Sequence, residues 1–391
     1  MTVSNTPELM AAINAAKAGD VILLEPGVYA NFSSKGLNAS FDTPVTIRSA
    51  DPANRAVIND FTLANVKGLR FQELDFVALD RPDLIAQGTS YWAFKVGRSE
   101  DVHFDRVHFH GSLDGDASND VLGLQIRDSV NVSVTNSEFQ QLARGLAIGQ
   151  AKYVKVSGNY AHDLRSDGFN FAEVGHVEVS DNIFKNFVPQ AGDHPDAIQF
   201  WTSSTKTASH DIVISGNIIL RGSGEYTQGI FLRDQIGTLP YERVTISDNL
   251  IVGTGYNGIR LQGVKDLVLE RNELVSFSGE NRTFLLIQGA DGVIANDNRA
   301  VSISFDNSAN VTQSGNVTTE FVEDLGAAAI ERWINLRPER ADNLQEILRI
   351  DVPVVVEPQT DLVTWSELQD FHFLTSDSLP VFVGFDGFLF A

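Results

Sequence analysis

The chain has 391 residues, of which 43% are hydrophobic and 20% are charged, a balance that predicts a large apolar core and excludes a disordered chain. Its 51 acidic and 29 basic residues give a net charge of −22, which disfavours DNA, RNA and anionic lipid as partners. Because the sequence contains no cysteine, disulfides, thiolate nucleophiles and cysteine metal sites are excluded.

The N-terminal residues lack the basic and apolar regions of a Sec signal peptide. No apolar run approaches the ~18 residues that a membrane span needs. We therefore expect no membrane insertion. If the substrate is extracellular, the protein acts outside the cell or on a virion and arrives there by a route other than Sec.

Residues 6–17 predict an amphipathic helix, because Pro7 occupies a favourable first-turn position and Gly19 follows the last apolar residue. Residues 21–29 predict a strand and a turn that open the first coil of a solenoid. A helix over the end of a solenoid would hide unpaired backbone groups. We predict that residues 1–30 form an N-terminal cap and first coil, followed by a β-helix over 31–318.

One pattern recurs along the middle of the chain, in which alternating apolar and polar residues end in Gly-Asn or Asp-Asn. The clear copies are 154–159, 177–182, 212–217 and 244–249, and weaker copies end at Asn272, Asn298 and Asn316. The spacing suits a coil of about 22 residues with loops inserted in some turns. The sequence therefore predicts an all-β fold, a right-handed parallel β-helix, with the asparagines stacked as scaffold.

A second strand follows each of these turns, over residues 123–127, 145–149, 168–172, 197–201, 229–233 and 258–262. Period-two alternation directs Phe169, Ile198, Ile230 and Ile259 inward. It leaves two outward columns, which are Gln125, Asn170, Gln199 and Arg260, and then Arg127, Trp201, Arg233 and Gln262. Amides, arginines and one aromatic ring suit sugar hydroxyls and a pyranose face, whereas an ordinary solvated sheet face is the alternative. The predicted substrate-binding residues are His162, Asn170, Gln199, Trp201, Gln228, Arg233 and Arg260.

Polar residues are densest between residues 190 and 201. Asp167 and Asp196 hold equivalent places on neighbouring rungs, so their carboxyls should lie ~5 to 6 Å apart. Two carboxyls at that spacing have separated pKa values and suit a retaining glycosidase, while Asp193 or Glu225 would give the wider gap of an inverting enzyme. The candidate catalytic residues are Asp167, Asp196, Asp193 and His194.

Lyase chemistry is an alternative use of the same residues. It requires a neutralised uronate carboxylate, either by Ca²⁺ on Asp193 and Asp196 or by Arg233 and Arg260. It also requires a base, for which His194 and His162 are the candidates. A third interpretation is structural, with Asp193 capping a loop and His194 packing against it. No metal site follows from the sequence alone, and Ca²⁺ is the one cofactor considered.

The segments Ala-Lys-Ala-Gly-Asp at 16–20, Pro-Gly-Val-Tyr at 26–29 and Pro-Val-Thr-Ile-Arg-Ser at 44–49 resemble the start of chondroitinase B and alginate lyases of polysaccharide lyase family 6. The Asp-Gly-Phe and Asp-Ala-Ile rungs at 167–169 and 196–198 resemble the wider pectate-lyase-like group, which includes mannuronan epimerases and phage tailspikes. This resemblance covers about residues 5 to 318. It implies a parallel β-helix that acts on, or binds, a polysaccharide.

The remaining residues, 319–391, differ from the repeats and predict a C-terminal cap or oligomerisation segment. Residues 322–335 predict a helix, 347–356 a strand-like apolar run, and 380–391 an apolar end that caps the last rung or joins a trimer. The homotrimer and virion tail partners are implied only by the resemblance to tailspikes. The sequence favours a polysaccharide-degrading enzyme, a hydrolase or a lyase, over the alternative of a non-catalytic receptor-binding spike or tail fibre.

Overall fold

A computed structural model describes residues 1–86 and 91–337 of the chain. Within these ranges three parallel sheets wind around one apolar core as a β-helix. The predictions for residues 347–356 and 380–391 lie outside the described residues. The three described helices are α1 (Thr6–Ala15), α2 (Pro82–Ala86) and α3 (Ala327–Asn335), and none is long and apolar enough to cross a membrane.

A complete coil contributes one strand to each sheet, the sheets have 13, 12 and 10 strands among the described residues, and neighbouring strands in a sheet are parallel. The first sheet comprises Thr2–Val3, Val21–Leu24, Ser40–Ser49, Lys67–Gln72, Glu100–Asp105, Val130–Thr135, Lys152–Ser157, Gly175–Ser180, His210–Ser215, Tyr241–Ser247, Val264–Glu270, Asp291–Asn296 and Ala309–Ser314. The second comprises Val28–Tyr29, Val57–Asn59, Asp75–Val77, His108–His110, Glu138–Gln140, Tyr160–His162, Ile183–Lys185, Ile218–Leu220, Leu250–Val252, Glu273–Val275, Arg299–Ala300 and Val317–Thr318. The third comprises Phe61–Ala64, Trp92–Gly97, Leu122–Arg127, Arg144–Gly149, Phe169–Ala172, Asp196–Trp201, Gln228–Arg233, Asn257–Gln262, Phe284–Gln288 and Ile303–Asp306.

The interior is built from columns of apolar side chains, one from each rung. Phe169 pairs with Ile198, Ile198 with Ile230, and Ile230 with Ile259, and all four are fully buried. The predicted inner stack is therefore confirmed. Because each rung buries its apolar side chains between those of its neighbours, the core is continuous along the axis.

The turns between the first and second sheets contain the asparagine ladder, whose described members are Asn159, Asn182, Asn217, Asn249, Asn272, Asn298 and Asn316. Each side-chain amide donates to the next asparagine's Oδ1 at 2.8 to 3.0 Å. The backbone N–H of Asn182 also donates to Asn217 Oδ1 at 3.0 Å, and Asn182 Nδ2 donates to the Val156 carbonyl. The predicted ladder is confirmed, and it satisfies buried turn groups that would otherwise destabilise the fold.

Helix α1 begins where Asn5 Oδ1 accepts the backbone N–H of Glu8 at 3.0 Å, and it buries Leu9 and Ile13 in the main core. Helix α3 lies against the outer side of the second sheet, where Ile330 and Trp333 join a separate apolar cluster. The helix predicted from residue 322 begins only at Ala327.

The late start of α3 has a local cause. The Asp324 carboxylate accepts the N–H groups of Gly326 and Ala328 at 3.0 and 2.9 Å, which caps the first turn. Leu325 and Gly326 have left-handed backbone angles, φ 54° and 84°. A right-handed helix therefore cannot run through these two residues from residue 322.

Candidate functional site

The outer side of the third sheet carries the predicted polar residues in the predicted register. Asn170 pairs with Gln199, Asp196 with Gln228, and Trp201 with Arg233. On the next rung Phe231 pairs with Arg260 and Arg233 with Gln262. We use the name site column for the residues at the start of these strands or up to two residues before it: Arg144, Asp167, Asp196, Gln228 and Asn257.

A small residue follows each member of the site column, and at Gly168 the space for a side chain is filled. A Cβ at Gly168 would lie 2.4 Å from the Ala197 carbonyl oxygen and 2.7 Å from the Phe184 ring. Glycine therefore permits close contact between rungs where the coil turns into the third sheet. This turn lets the preceding polar side chain reach the outer side of the sheet.

Asp167 is a buried carboxylate whose oxygens are already occupied. Arg144 Nη2 lies 2.7 Å from Oδ2, and Asn170 Nδ2 donates to the same oxygen at 3.0 Å. The backbone N–H of Asp196 donates to Oδ1 at 3.1 Å. These hydrogen bonds occupy both oxygens and connect Asp167 to the next rung.

Asp196 is fully buried beside Asp167. Burial raises the pKa of Asp196 well above its usual range, and the Asp167 charge adds to this, while His194 and Gln199 oppose it. Gln199 Nε2 donates to Oδ2 at 2.5 Å. Among the described residues Oδ1 has no hydrogen-bond partner, so nothing offsets the burial of the ionised form at that oxygen.

His194 covers Asp196 and faces solvent, with 69% of its side chain exposed. Its Nδ1 lies 3.7 Å from Asp196 Oδ2, and Gln228 Nε2 lies 3.0 Å from the same nitrogen. The Asp196 carboxylate raises the pKa of His194, and burial of part of the ring opposes this. His194 is thus an accessible proton-transfer group with a buried carboxylate behind it.

Two arginines lie on the following two rungs of the same sheet, Arg233 paired with Trp201 and Arg260 paired with Phe231. Burial lowers the pKa of both Arg233 and Arg260. The Arg233 charge lowers the pKa of Arg260 further, and Asp196 opposes that effect, so Arg260 lies within electrostatic range of both. Arg260 Nη2 donates to Gln288 Oε1 at 3.2 Å, and its guanidinium carbon lies 5.8 Å from the Phe231 ring centre.

Three predicted site residues have a different environment from the one expected. His162 lies on the second sheet, where its ring nitrogens contact Glu138 Oε1 at 2.8 Å and Asp163 Oδ2 at 2.7 Å. Its predicted place beside the third-sheet residues is wrong, because the turn over residues 163–168 separates the two sheets. Asn170 lies in the predicted outer column with Gln199, but it is 2% exposed and hydrogen-bonded to Asp167 and Gln199, so its predicted contact with solvent is wrong.

The Asp193 carboxylate is held by hydrogen bonds from neighbouring residues. Arg165 binds it with two hydrogen bonds, of 2.8 and 3.2 Å, and the Gln190 N–H donates to Oδ2 at 2.8 Å. An arginine on one carboxylate and a histidine against the other do not fit a Ca²⁺ ion shared by Asp193 and Asp196. The arrangement matches the loop-capping alternative for Asp193.

The sequence interpretation missed Arg144. Arg144 precedes Gly145 just as Asp167 precedes Gly168, so the same register rule identifies it. Asn257 Nδ2 donates to Gln228 Oε1, which extends the site column by another rung. Phe231 was also missed, although it occupies the outward column between Gln199 and Arg260.

Comparisons with known proteins agree with this geometry at the level of fold. The family model "Right handed beta helix region" matches residues 93–274. A search with the sequence finds no match among curated proteins.

Three solved structures are similar to the chain at low sequence identity. An alginate lyase from Paenibacillus sp. str. FPU-7 has 16% identity and a TM-score of 0.51, over 81% of this chain and 98% of the other. A mannuronic acid specific polysaccharide family 6 lyase from human gut microbiota has 12% identity and a TM-score of 0.52, over 88% and 98%. The Dettilon tailspike protein has 13% identity and a TM-score of 0.54, over 81% of this chain and 63% of the tailspike. The likeness to a lyase family and a tailspike expected from the sequence is confirmed for the fold.

Proposed function

We propose that this chain, which has the right-handed parallel β-helix fold, binds an acidic polysaccharide along the outer side of its third sheet and cleaves it by β-elimination. The observation that carries the proposal is an exposed His194 backed by the buried Asp196, with Arg260 on the same sheet within electrostatic range of Asp196. The two lyases of similar fold, one of them an alginate lyase, support the choice of an acidic glycan.

The arginines suit an anionic substrate. The chain as a whole carries a net charge of −22 and would repel a polyanion, so local cations are needed wherever a uronate binds. Arg233 and Arg260 supply them on adjacent rungs, beside the partly exposed Trp201 ring. A guanidinium binds a carboxylate with two parallel hydrogen bonds, and an aromatic ring packs on a sugar face.

Elimination follows from these groups. With the uronate carboxylate neutralised by an arginine, neutral His194 removes the proton from the adjacent ring carbon. The electron pair of that C–H bond forms the carbon–carbon double bond, and the glycosidic oxygen leaves and takes a proton from solvent. Asp196 stabilises the imidazolium that results and acts through His194 as a positioning residue.

Hydrolysis is the second candidate, and the raised pKa of Asp196 favours it because a glycosidase needs a protonated carboxyl. The environment of Asp167 weighs against a retaining pair, since Arg144, Asn170 and the Asp196 N–H occupy both of its oxygens. Its lone pairs are thus poorly placed for nucleophilic attack. Elimination needs no second carboxylate.

The test is a screen of the purified chain against acidic and neutral polysaccharides, with two readouts. Ultraviolet absorbance of an unsaturated uronate reports elimination, and reducing ends report any cleavage. We expect both signals from a uronate polymer and a loss of ~100-fold or more in turnover for His194→Ala. His110→Ala, on the second sheet, is the matched control and should leave turnover unchanged.

Reducing ends without absorbance would replace elimination by hydrolysis. If the protein binds a polysaccharide but gives neither signal, the remaining interpretation is a receptor-binding protein without catalytic activity. That last outcome would agree with the similarity in fold to a tailspike protein.

We further propose an extracellular or virion-associated setting, because such polysaccharides lie outside the cell. Residues 1–30, 31–318 and 319–391 would act as cap, β-helix and C-terminal segment. The burial of Leu9 and Ile13 of α1 in the core supports the cap. A homotrimer is the tailspike-like arrangement, and the mass of the protein in solution tests it.

A further inference from the structure

The outer side of the first sheet has a column of residues with left-handed backbone angles. Tyr153, His176, Asp211 and Arg243 have φ of 56°, 54°, 54° and 54°. Each follows a strand residue that pairs with its counterpart on the next rung: Lys152 with Gly175, Gly175 with His210, and His210 with Glu242. Since adjacent strands lie about 4.8 Å apart, side chains in this column stack on one another, and the Tyr153 and His176 rings are 4.9 Å apart and parallel.

Within this column two imidazoles converge on one carboxylate oxygen. His176 Nδ1 lies 3.5 Å from Asp211 Oδ2, and His210 Nδ1 lies 2.7 Å from the same atom. One donor atom from each of the three residues lies within 4.8 Å of the other two. Among the described residues this is the group of histidines and carboxylates that meets that spacing.

Gly175 makes room for this arrangement. A Cβ at Gly175 would lie 2.7 Å from His210 Cε1 and 2.8 Å from His210 Nε2. The equivalent position is Lys152 on the preceding rung and His210 itself on the following rung. The glycine therefore lets the His210 ring lie against the preceding rung with Nδ1 turned towards Asp211.

We propose that His176, His210 and Asp211 bind a transition-metal ion such as Zn²⁺. Two imidazole nitrogens and one carboxylate oxygen are ligands that Zn²⁺ accepts, at about 2.0 to 2.2 Å each, with a fourth position for water. A tetrahedral ion at those bond lengths places its ligands about 3.4 Å apart, close to the 3.5 Å between His176 and Asp211. The 2.7 Å between His210 Nδ1 and Asp211 Oδ2 would have to lengthen to admit the ion.

Arg243 orients the carboxylate. Its Nε donates to Asp211 Oδ1 at 2.6 Å, which leaves Oδ2 directed at the histidines. The longer bond from Nη2 to Oδ2, 3.1 Å, is the one that an ion would replace. Hydrogen bonds of this kind commonly fix ligating carboxylates.

The site would join the two ends of one coil. The chain leaves the first sheet after Gly175–Ser180 and returns at His210–Ser215, and the strand Asp196–Trp201 with His194 lies between. An ion bound to His176 and Asp211 closes that coil and should stabilise it. This inference rests on the first sheet alone and does not depend on the proposed lyase activity.

The experiment is a calorimetric titration of untagged, chelator-treated protein with Zn²⁺, and with Ca²⁺ as the metal control. We expect one Zn²⁺ per chain, no Ca²⁺ binding at this site, and a higher melting temperature with Zn²⁺. His176→Ala should weaken Zn²⁺ binding at least about tenfold with an unchanged far-ultraviolet circular dichroism spectrum. His103→Ala, on the same sheet with its Nδ1 bonded to Ser133, should bind Zn²⁺ like the unchanged chain.

Gly175→Ala is the second variant, because it displaces the His210 ring without removing a ligand. It should also weaken Zn²⁺ binding. Equal Zn²⁺ affinity in the unchanged chain and in His176→Ala would overturn the proposal, as would an absence of binding in the unchanged chain.

Discussion

The asparagine ladder and the site column are both buried polar columns that gain one member per coil, but they are built differently. In the ladder the residue type is constant, and each amide binds the next, as Asn182 does with Asn217 at 2.9 Å. In the site column the residue type varies along the axis, from arginine through two aspartates to glutamine and asparagine. Asp196 Oδ1 and Asn257 Oδ1 have no hydrogen-bond partner among the described residues.

The difference separates scaffold from site. A repeated residue that satisfies its neighbour stabilises the solenoid in the same way on every rung. A varied column with unsatisfied atoms destabilises the fold locally, and such groups are concentrated where a ligand or a proton completes them. On this criterion the ladder is scaffold, and the rungs from Arg144 to Asn257 are the candidate site.

The largest loss of stability is expected for a substitution in the apolar core, and the losses in the two columns can be compared with it. Phe169 is fully buried between Phe139 and Phe184, so Phe169→Ala should lower the free energy of unfolding by ~2 to 5 kcal/mol. Urea unfolding at equilibrium measures it. Val130→Ala, at an exposed position, should stay within ~0.5 kcal/mol. A loss of only ~0.5 kcal/mol for Phe169→Ala would contradict the packing of Phe169 in the core.

The second-largest loss of stability is expected for substitutions in the asparagine ladder. Asn217→Ala removes the acceptor for two buried donors, Asn182 Nδ2 and the Asn182 N–H, and should lower the free energy of unfolding by ~2 to 3 kcal/mol. Asn316, at the exposed end of the ladder, is the matched position. Asn316→Ala should cost clearly less, because water can satisfy the groups that it frees. Equal losses at the two positions would count against burial as the cause.

Binding should depend on the site column's surroundings and not on the ladder. Trp201→Ala should weaken polysaccharide binding by ~1 to 3 kcal/mol while leaving the melting temperature nearly unchanged, since Trp201 is only partly buried at the outer side of the third sheet. Titration calorimetry with a bound oligosaccharide measures it. Tyr153→Ala, on the first sheet, is the aromatic control and should bind normally. Unchanged affinity for Trp201→Ala would remove that side chain from the site.

Periodicity in the sequence was enough to predict the parts of the fold that repeat. The ladder and the stack of Phe169 with Ile198 follow from period two within a strand and from one turn signal per coil. The polar register of Asp196 with Gln228 follows from the same alignment, because a parallel ladder pairs equivalent residues.

Other features depend on the path of the turns, which no local pattern specifies. His162 is only five residues from Asp167 in sequence but lies on another sheet, since the chain turns between them. Full burial of Asp196 depends on His194 and Gln199 covering it. The ion pair of Arg165 with Asp193 joins residues 28 apart, and only the folded coil brings them together.

The smallest expected effect is an increase in stability, whereas substitutions in the ladder decrease it. It therefore distinguishes the site column from the ladder directly. Burial raises the pKa of Asp196 above its unfolded value of about 3.9, so the folded state binds a proton that the unfolded state has released. Stability from this group is therefore full at low pH and falls as the pH rises through the unfolded and then the folded pKa.

Asp196→Asn removes the buried charge, and at about pH 8 it should raise the free energy of unfolding by ~0.5 to 2 kcal/mol. At about pH 4 most of the gain should be gone, because the carboxyl is then largely neutral in the folded state and about half neutral in the unfolded state. Urea unfolding of both proteins at the two pH values measures it, with Asp193→Asn as the control that should lose stability with its Arg165 ion pair. A loss at pH 8 for Asp196→Asn, comparable with that of Asn217→Ala, would place Asp196 with the scaffold and remove the distinction between the two columns.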